Sequence, residues 1–206
     1  MKSPDCLAYV FWHWLRAGDE VGAYEQSLAA FQEVLMENAP PGFRRAAVFR
    51  HGPADWLPRD GPHYVDWYLL DDSAALDPLN DGAISAVCQA AHDAAAERAA
   101  GGTAGLYGLR RGAVRAATVH CATWFSKPTG MPYAELDGLL GGLMQAGSAQ
   151  LWSRRMTLGP TPEMCVLAGA EVSLPRDFGA VHVPMELVWS RARNDAVESD
   201  TEDAFQ

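Results

Sequence analysis

Two aromatic runs hold the residues best suited to chemistry. In "CLAYVFWHWLRAG" (6–18) His13 sits between Trp12 and Trp14, and in "HYVDWYLLDD" (63–72) Asp66 sits among Tyr64, Trp67 and Tyr68. Side chains alternate along a strand, so His13 shares a face with Tyr9, Phe11 and Leu15, while Val10, Trp12, Trp14 and Arg16 face the other way. The second run divides into Tyr64, Asp66, Tyr68 and Leu70 against Val65, Trp67 and Leu69. The latter set is wholly apolar, as expected of a face that helices cover. If the tryptophan faces of both strands pack beneath helices, then His13, Tyr64, Asp66 and Tyr68 share the opposite face, the one a barrel would turn inward. These four are the candidate catalytic set. His13 would accept a proton near neutral pH, Asp66 would hold its tautomer or stabilise the imidazolium, and a tyrosine hydroxyl would bind a substrate oxygen. The structural alternative is a buried histidine and tyrosines that only satisfy one another's hydrogen bonds. Asp66 is the informative member, because a carboxylate within an apolar strand must find a partner or an edge.

Nothing else in the sequence carries a strong motif. The six histidines and four cysteines are scattered, with no C-x-x-C or H-E-x-x-H spacing, so no metal site is indicated and buried free thiols are expected. Arg154, His182 and Glu186 form a second polar set, read as solvent-exposed or as an internal ion pair. The segment "GLRRG" has the glycines of a turn without a phosphate-loop pattern. A formal charge of -10, from 26 acidic against 16 basic residues, argues against nucleic acid and anionic membranes as partners. With 206 residues, 49% of them hydrophobic, and no apolar run of membrane-spanning length, the composition is that of a globular protein, by default cytoplasmic.

The elements that must position the candidate set can be read in order. An aromatic strand over 6–16 is followed by a helix carrying Tyr24, Leu28, Phe31 and Leu35. After "NAPPG" come strands at 46–51 and 63–72. A helix over 81–100, with Ile84, Val87, Cys88, Ala91 and Ala95 on one face, then leads to a short strand in "GGTAGLYGLRRG". This β-α-β-β-α-β order is the split βαβ, or ferredoxin-like, unit. From 115 the pattern returns: a β-rich run, a Pro/Gly breaker, a helix with Tyr133, Leu136, Leu140 and Leu143, then strands at 149–160, 163–174 and 180–189. Only "PRDFG" separates the last two strands, too short for a parallel crossover, so the last strand is expected to form a hairpin or to pair with the other half. The expected divisions are 1–112, 113–190 without its second helix, and a disordered acidic tail at 191–206.

Two such halves, each opening on an aromatic strand and a breaker before a Tyr-containing helix ("WLRAGDEVGAYEQ" and "WFSKPTGMPYAEL"), resemble the dimeric α+β barrel superfamily. The resemblance spans roughly residues 6 to 190 and is architectural. It implies an α+β protein whose two sheets form a pseudo-dimeric barrel around a cavity for a small apolar or aromatic molecule. The superfamily includes cofactor-free monooxygenases, muconolactone-type isomerases, EthD-like proteins and haem proteins of the chlorite dismutase kind, and fold alone does not choose among them. The readings that follow are a cofactor-independent monooxygenase or isomerase using His13, a haem or small-molecule binder with a histidine as axial ligand, and a structural domain whose cavity is filled by its own side chains. Homo-oligomerisation stays open.

Overall fold

The computed structural model describes residues 6–58, 61–144, 149–157 and 161–193. The chain runs β1 (Leu7–Leu15), α1 (Val21–Glu37), β2 (Phe43–His51), β3 (His63–Leu70), α2 (Leu76–Ala83), α3 (Gln89–Ala96) and β4 (Ala99–Arg111). It continues with β5 (Cys121–Phe125), α4 (Tyr133–Leu143), β6 (Gln150–Thr157), β7 (Met164–Ala168) and β8 (Val181–Ala192). The eight strands close into one antiparallel barrel in the order β1-β3-β2-β8-β5-β7-β6-β4. No helix among the described residues is long and apolar enough to cross a membrane.

Closure of the barrel inverts the expected sidedness of the strands. Trp12, Trp67, Tyr107, Trp124 and Trp152 belong to one buried cluster with residues from all eight strands, so the tryptophan face is the barrel interior. Trp124 lies 5.5 Å from Trp12 and 6.4 Å from Trp67 between ring centroids, and these large side chains fill the space where the sequence places a cavity. The face carrying His13, Tyr64, Asp66 and Tyr68 points outward, beneath α1. Both faces of β3 are buried, interior on one side and helix-covered on the other, which is why all eight of its residues are buried. Trp14, expected as core beneath a helix, is partly buried and packs against the interior cluster.

Helix α1 exists because Tyr24, Leu28, Phe31 and Leu35 recur every three to four residues and bury one stripe against the sheet. Pro40 and Pro41, just beyond its end, cannot continue a helix, and Gly42 turns the chain into β2 at φ +78°, a left-handed conformation that favours glycine. The expected helix over 81–100 is instead two short helices. α2 begins earlier, at Leu76, a turn at 84–88 separates it from α3, and Ile84 and Val87 lie exposed in that turn rather than on a buried face. An alanine-rich segment has good helix propensity but too little apolar bulk to fix its own phase or ends.

The last strand pairs with the other half, one of the two expected outcomes, but its connection is longer than the sequence suggests. β7 stops at Ala168, leaving 169–180, with one short 3-10 turn at Arg176–Phe178, to cross to β8. That is the dozen residues such a crossover needs. β8 pairs with β5 on one side and with β2 on the other, so it forms no hairpin with β7 and joins the two ends of the chain's sheet. The strand takes in Arg191 and Ala192, which the sequence assigns to the acidic tail, and Arg191 makes an ion pair with Glu33 of α1. Residues 194–206 of that expected tail lie outside the described residues.

At one end of the barrel interior, His51 and His63 face each other across β2 and β3. Both are buried, and burial pushes the His51 pKa down to about 4, so its ring is neutral near pH 7.

Candidate functional site

An apolar open space lies on the outer face of the barrel. A cavity of about 400 Å³ is enclosed by β1, β3 and the start of β4 on one side and by α1, α2 and α3 on the other. Its size and mainly apolar wall are those of a small-molecule site. Of the four candidate residues, His13, Asp66 and Tyr68 line it. Tyr64 does not line it; its ring stacks on His13 at 5.6 Å and 11°. Phe11 also stacks on His13, at 5.5 Å and 22°, so the imidazole is packed between aromatic neighbours on its own strand and on β3.

The polar groups form one continuous network. His13 Nε2 lies 3.2 Å from Asp66 Oδ1, and His13 Nδ1 lies 2.5 Å from the hydroxyl of Tyr24 on α1. The other Asp66 oxygen, Oδ2, accepts from the Tyr68 hydroxyl at 2.7 Å and from Gln32 Nε2 at 3.1 Å. Asp66 thus accepts on both oxygens, the pattern of a carboxylate, and the hydrogen-bond network assigns the His13 proton to Nε2. Nδ1 is then left to accept from Tyr24. The expected partner of the buried carboxylate is therefore His13, with Gln32 and Tyr68 completing its shell.

Burial, with Asp66 nearby, raises the pKa values of Tyr24 and Tyr68 above that of a free phenol. Tyr9, half-buried at the same cavity, is shifted upward for the same two reasons. These phenols are neutral donors near pH 7. Tyr64 is pushed up to about 12 by burial and then by Glu25, to which its hydroxyl donates at 3.0 Å. Glu25 in turn accepts from Arg50, whose other arm reaches Glu186 at 2.8 Å. Glu186 is thus paired, while His182 Nδ1 lies 3.1 Å from Thr123 Oγ1 and Arg154 donates to the Thr161 carbonyl. The second polar set is divided among these separate contacts.

Sequence reasoning missed Tyr24, Gln32 and His92 as site residues. In the sequence Tyr24 reads only as part of the apolar stripe of α1. Gln32 carried a usable signal, since it falls one turn after Leu28 on that stripe, and a fully buried glutamine on an apolar face needs polar partners. His92 on α3 lines the outer part of the cavity, with its ring edge-on to Phe31. The cysteines are free, as expected, and three of the four are buried. Among the described residues no group of three or more His, Cys, Asp or Glu side chains is arranged to hold a metal ion.

Similarity to known proteins is confined to structure. The chain matches no family model, and no curated protein is similar to it in sequence. A proposed monooxygenase of Fusobacterium nucleatum superposes with a TM-score of 0.62 at 9% identity, covering 92% of this chain and 95% of that one. An anthrone oxidase-like protein gives 0.59 at 9% identity, covering 93% and 94%. A proposed monooxygenase of Lactobacillus acidophilus gives 0.55 at 7% identity, covering 92% and 97%. The chain has the dimeric α+β barrel fold. At these identities the likeness speaks for the fold alone.

Proposed function

We propose that this chain is a cofactor-independent enzyme that abstracts a proton from a flat, apolar or aromatic carbon acid and passes the resulting carbanion to dioxygen, a monooxygenase reaction. The observation that carries the reading is the Tyr24–His13–Asp66 chain of hydrogen bonds at the wall of an apolar cavity. Both ring nitrogens of His13 are engaged, so the group that meets the substrate is the Tyr24 oxygen. The substrate proton goes to Tyr24 as the phenol's own proton passes to His13 Nδ1, and Asp66 stabilises the imidazolium. Tyr24 stays neutral throughout, consistent with a raised pKa that disfavours a free phenolate. For a methylene substrate the balance is CH2 + O2 → C=O + H2O, with dioxygen as the oxidant and the relay proton returned as the peroxide loses water. The likeness to structures described as monooxygenases and as anthrone oxidase-like agrees with this class. Haem ligation by His13 would require breaking one of its two hydrogen bonds, which weighs against His13 as an axial ligand.

The barrel also supports reading the chain as two pseudo-symmetric halves, 1–112 and 113–190. The strand order within the first is β4-β1-β3-β2 and within the second β8-β5-β7-β6, the same permutation twice. In this reading only the first half keeps the site, since it alone has the histidine and the carboxylate beneath its helix.

The test is oxygen uptake with anthrone as probe. The protein is expected to raise anthraquinone formation above autoxidation, and His13→Gln to lower the enzymatic rate by about 10²–10⁴. A rate equal to the background for anthrone and for other flat carbon acids would refute the reading.

A further inference from the structure

A group of unpartnered polar atoms lies inside the barrel, away from the cavity. His51 ends β2 and His63 begins β3, and the two are direct register partners. On the other flank of His51 its register partner is Met185 of β8. All three alternate onto the interior face, where Phe49, Val65 and Val183 also point. His51, His63 and Met185 are only 3%, 4% and 4% exposed, and the Nε2 atoms of both histidines have no hydrogen-bond partner. His51 Nδ1 donates to the Gly52 carbonyl at 2.6 Å, which leaves the lone pair of Nε2 free. A ring fixed through one nitrogen by a carbonyl, with the other nitrogen bare, is how metal-binding histidines are prepared.

We propose that His51, His63 and Met185 bind one Cu(I) ion through two imidazole nitrogens and one thioether sulfur. The ligand set selects the ion. A structural zinc site needs four donors, commonly with thiolates, whereas this row offers two imidazoles and a thioether, the latter a soft ligand suited to Cu(I). All three donors are neutral, so a monovalent ion leaves one buried charge where a divalent ion would leave two. Directly opposed residues on neighbouring strands carry Cβ atoms about 4.5–5.5 Å apart, and the inward curvature of a barrel brings the side-chain tips of the row closer together. The competing occupant is an ordered water bridging the two Nε2 atoms and the unpartnered indole nitrogen of Trp56, whose ring is 6.4 Å from that of His51. A water has no use for the Met185 sulfur. The proposal is independent of the reaction assigned to the outer cavity.

The experiment uses the full chain under anaerobic conditions, titrated with Cu(I) alone in competition with bicinchoninate. Long-range ¹H–¹⁵N spectra of the histidine rings are recorded in parallel. One equivalent is expected to bind, with the Nε2 resonances of His51 and His63 shifted and those of His13 unmoved. Met185→Leu, which conserves volume in the core, is expected to weaken binding at least tenfold, and His63→Gln further, while Cys6→Ser leaves it unchanged. If His51 and His63 Nε2 do not respond at one equivalent, or if Met185→Leu and His63→Gln both retain full affinity, the copper site is refuted and a bridging water or a cysteine accounts for the result.

Discussion

Replacing Tyr24 with phenylalanine separates catalysis from stability at the proposed site. The change removes one hydroxyl and keeps the ring that packs edge-on against His13 at 5.7 Å and against Tyr64 at 5.1 Å. What is lost is the 2.5 Å hydrogen bond to His13 Nδ1, leaving a buried acceptor without its donor. Such a group costs about 1–3 kcal/mol, and because His13 lines a cavity able to admit water, the lower end is expected. If the phenol relays the substrate proton, its loss removes the general-base pathway, about 10²–10⁴ in rate or roughly 3–5.5 kcal/mol of barrier. Urea unfolding would read the first quantity and oxygen uptake with anthrone the second. The expected result is a folded protein about 1 kcal/mol less stable whose turnover has fallen by at least about a hundredfold. A Tyr24→Phe protein with turnover within about threefold of the parent would show that the hydroxyl only packs.

Three other outcomes follow from the same network and core. Asp66→Asn puts an amide where a carboxylate accepts from His13, Tyr68 and Gln32, so at least one buried donor is left unpaired; a loss of about 2–4 kcal/mol in urea unfolding and a fall in turnover at least as large as for Tyr24→Phe are expected. Ala95→Phe should fill the cavity from the α3 side and abolish turnover with little change in far-UV circular dichroism, because Ala95 lines the space beside the small Ala96 and Ala99. Trp124→Leu removes a fully buried ring from the middle of the barrel, where it touches Trp12, Trp56, Trp67 and Tyr107, and should cost about 3–5 kcal/mol by thermal or urea unfolding.

Strand parity made part of this site legible in advance. It placed His13 opposite to Trp12 and Trp14 and on a common face with Asp66 across the sheet, and the His13–Asp66 contact is of that kind. Parity yields two faces but not which of them is inside. In a closed barrel wrapped by helices both faces are dry, so the apolarity of Val65, Trp67 and Leu69 could not distinguish a helix-covered face from the interior. The missing partners came from α1, where Tyr24 reaches His13 across 11 residues and Gln32 reaches Asp66 across 34, contacts made only through the packing of helix on sheet. The row His63–His51–Met185 was hidden for a similar reason, since its register depends on β8 closing against β2 from the far end of the chain. The phase of 81–100 failed on composition, its alanines being compatible with several helix boundaries.

The proposed chemistry lies between the outer face of the barrel and α1, not within the barrel. A crystal structure with anthraquinone, the product of the proposed reaction, tests it most directly. The ligand is expected between Phe11, Phe31 and the α3 alanines, with its oxidised carbon adjacent to Tyr24. Density inside the barrel among the tryptophans, or at a surface remote from His13, would contradict it.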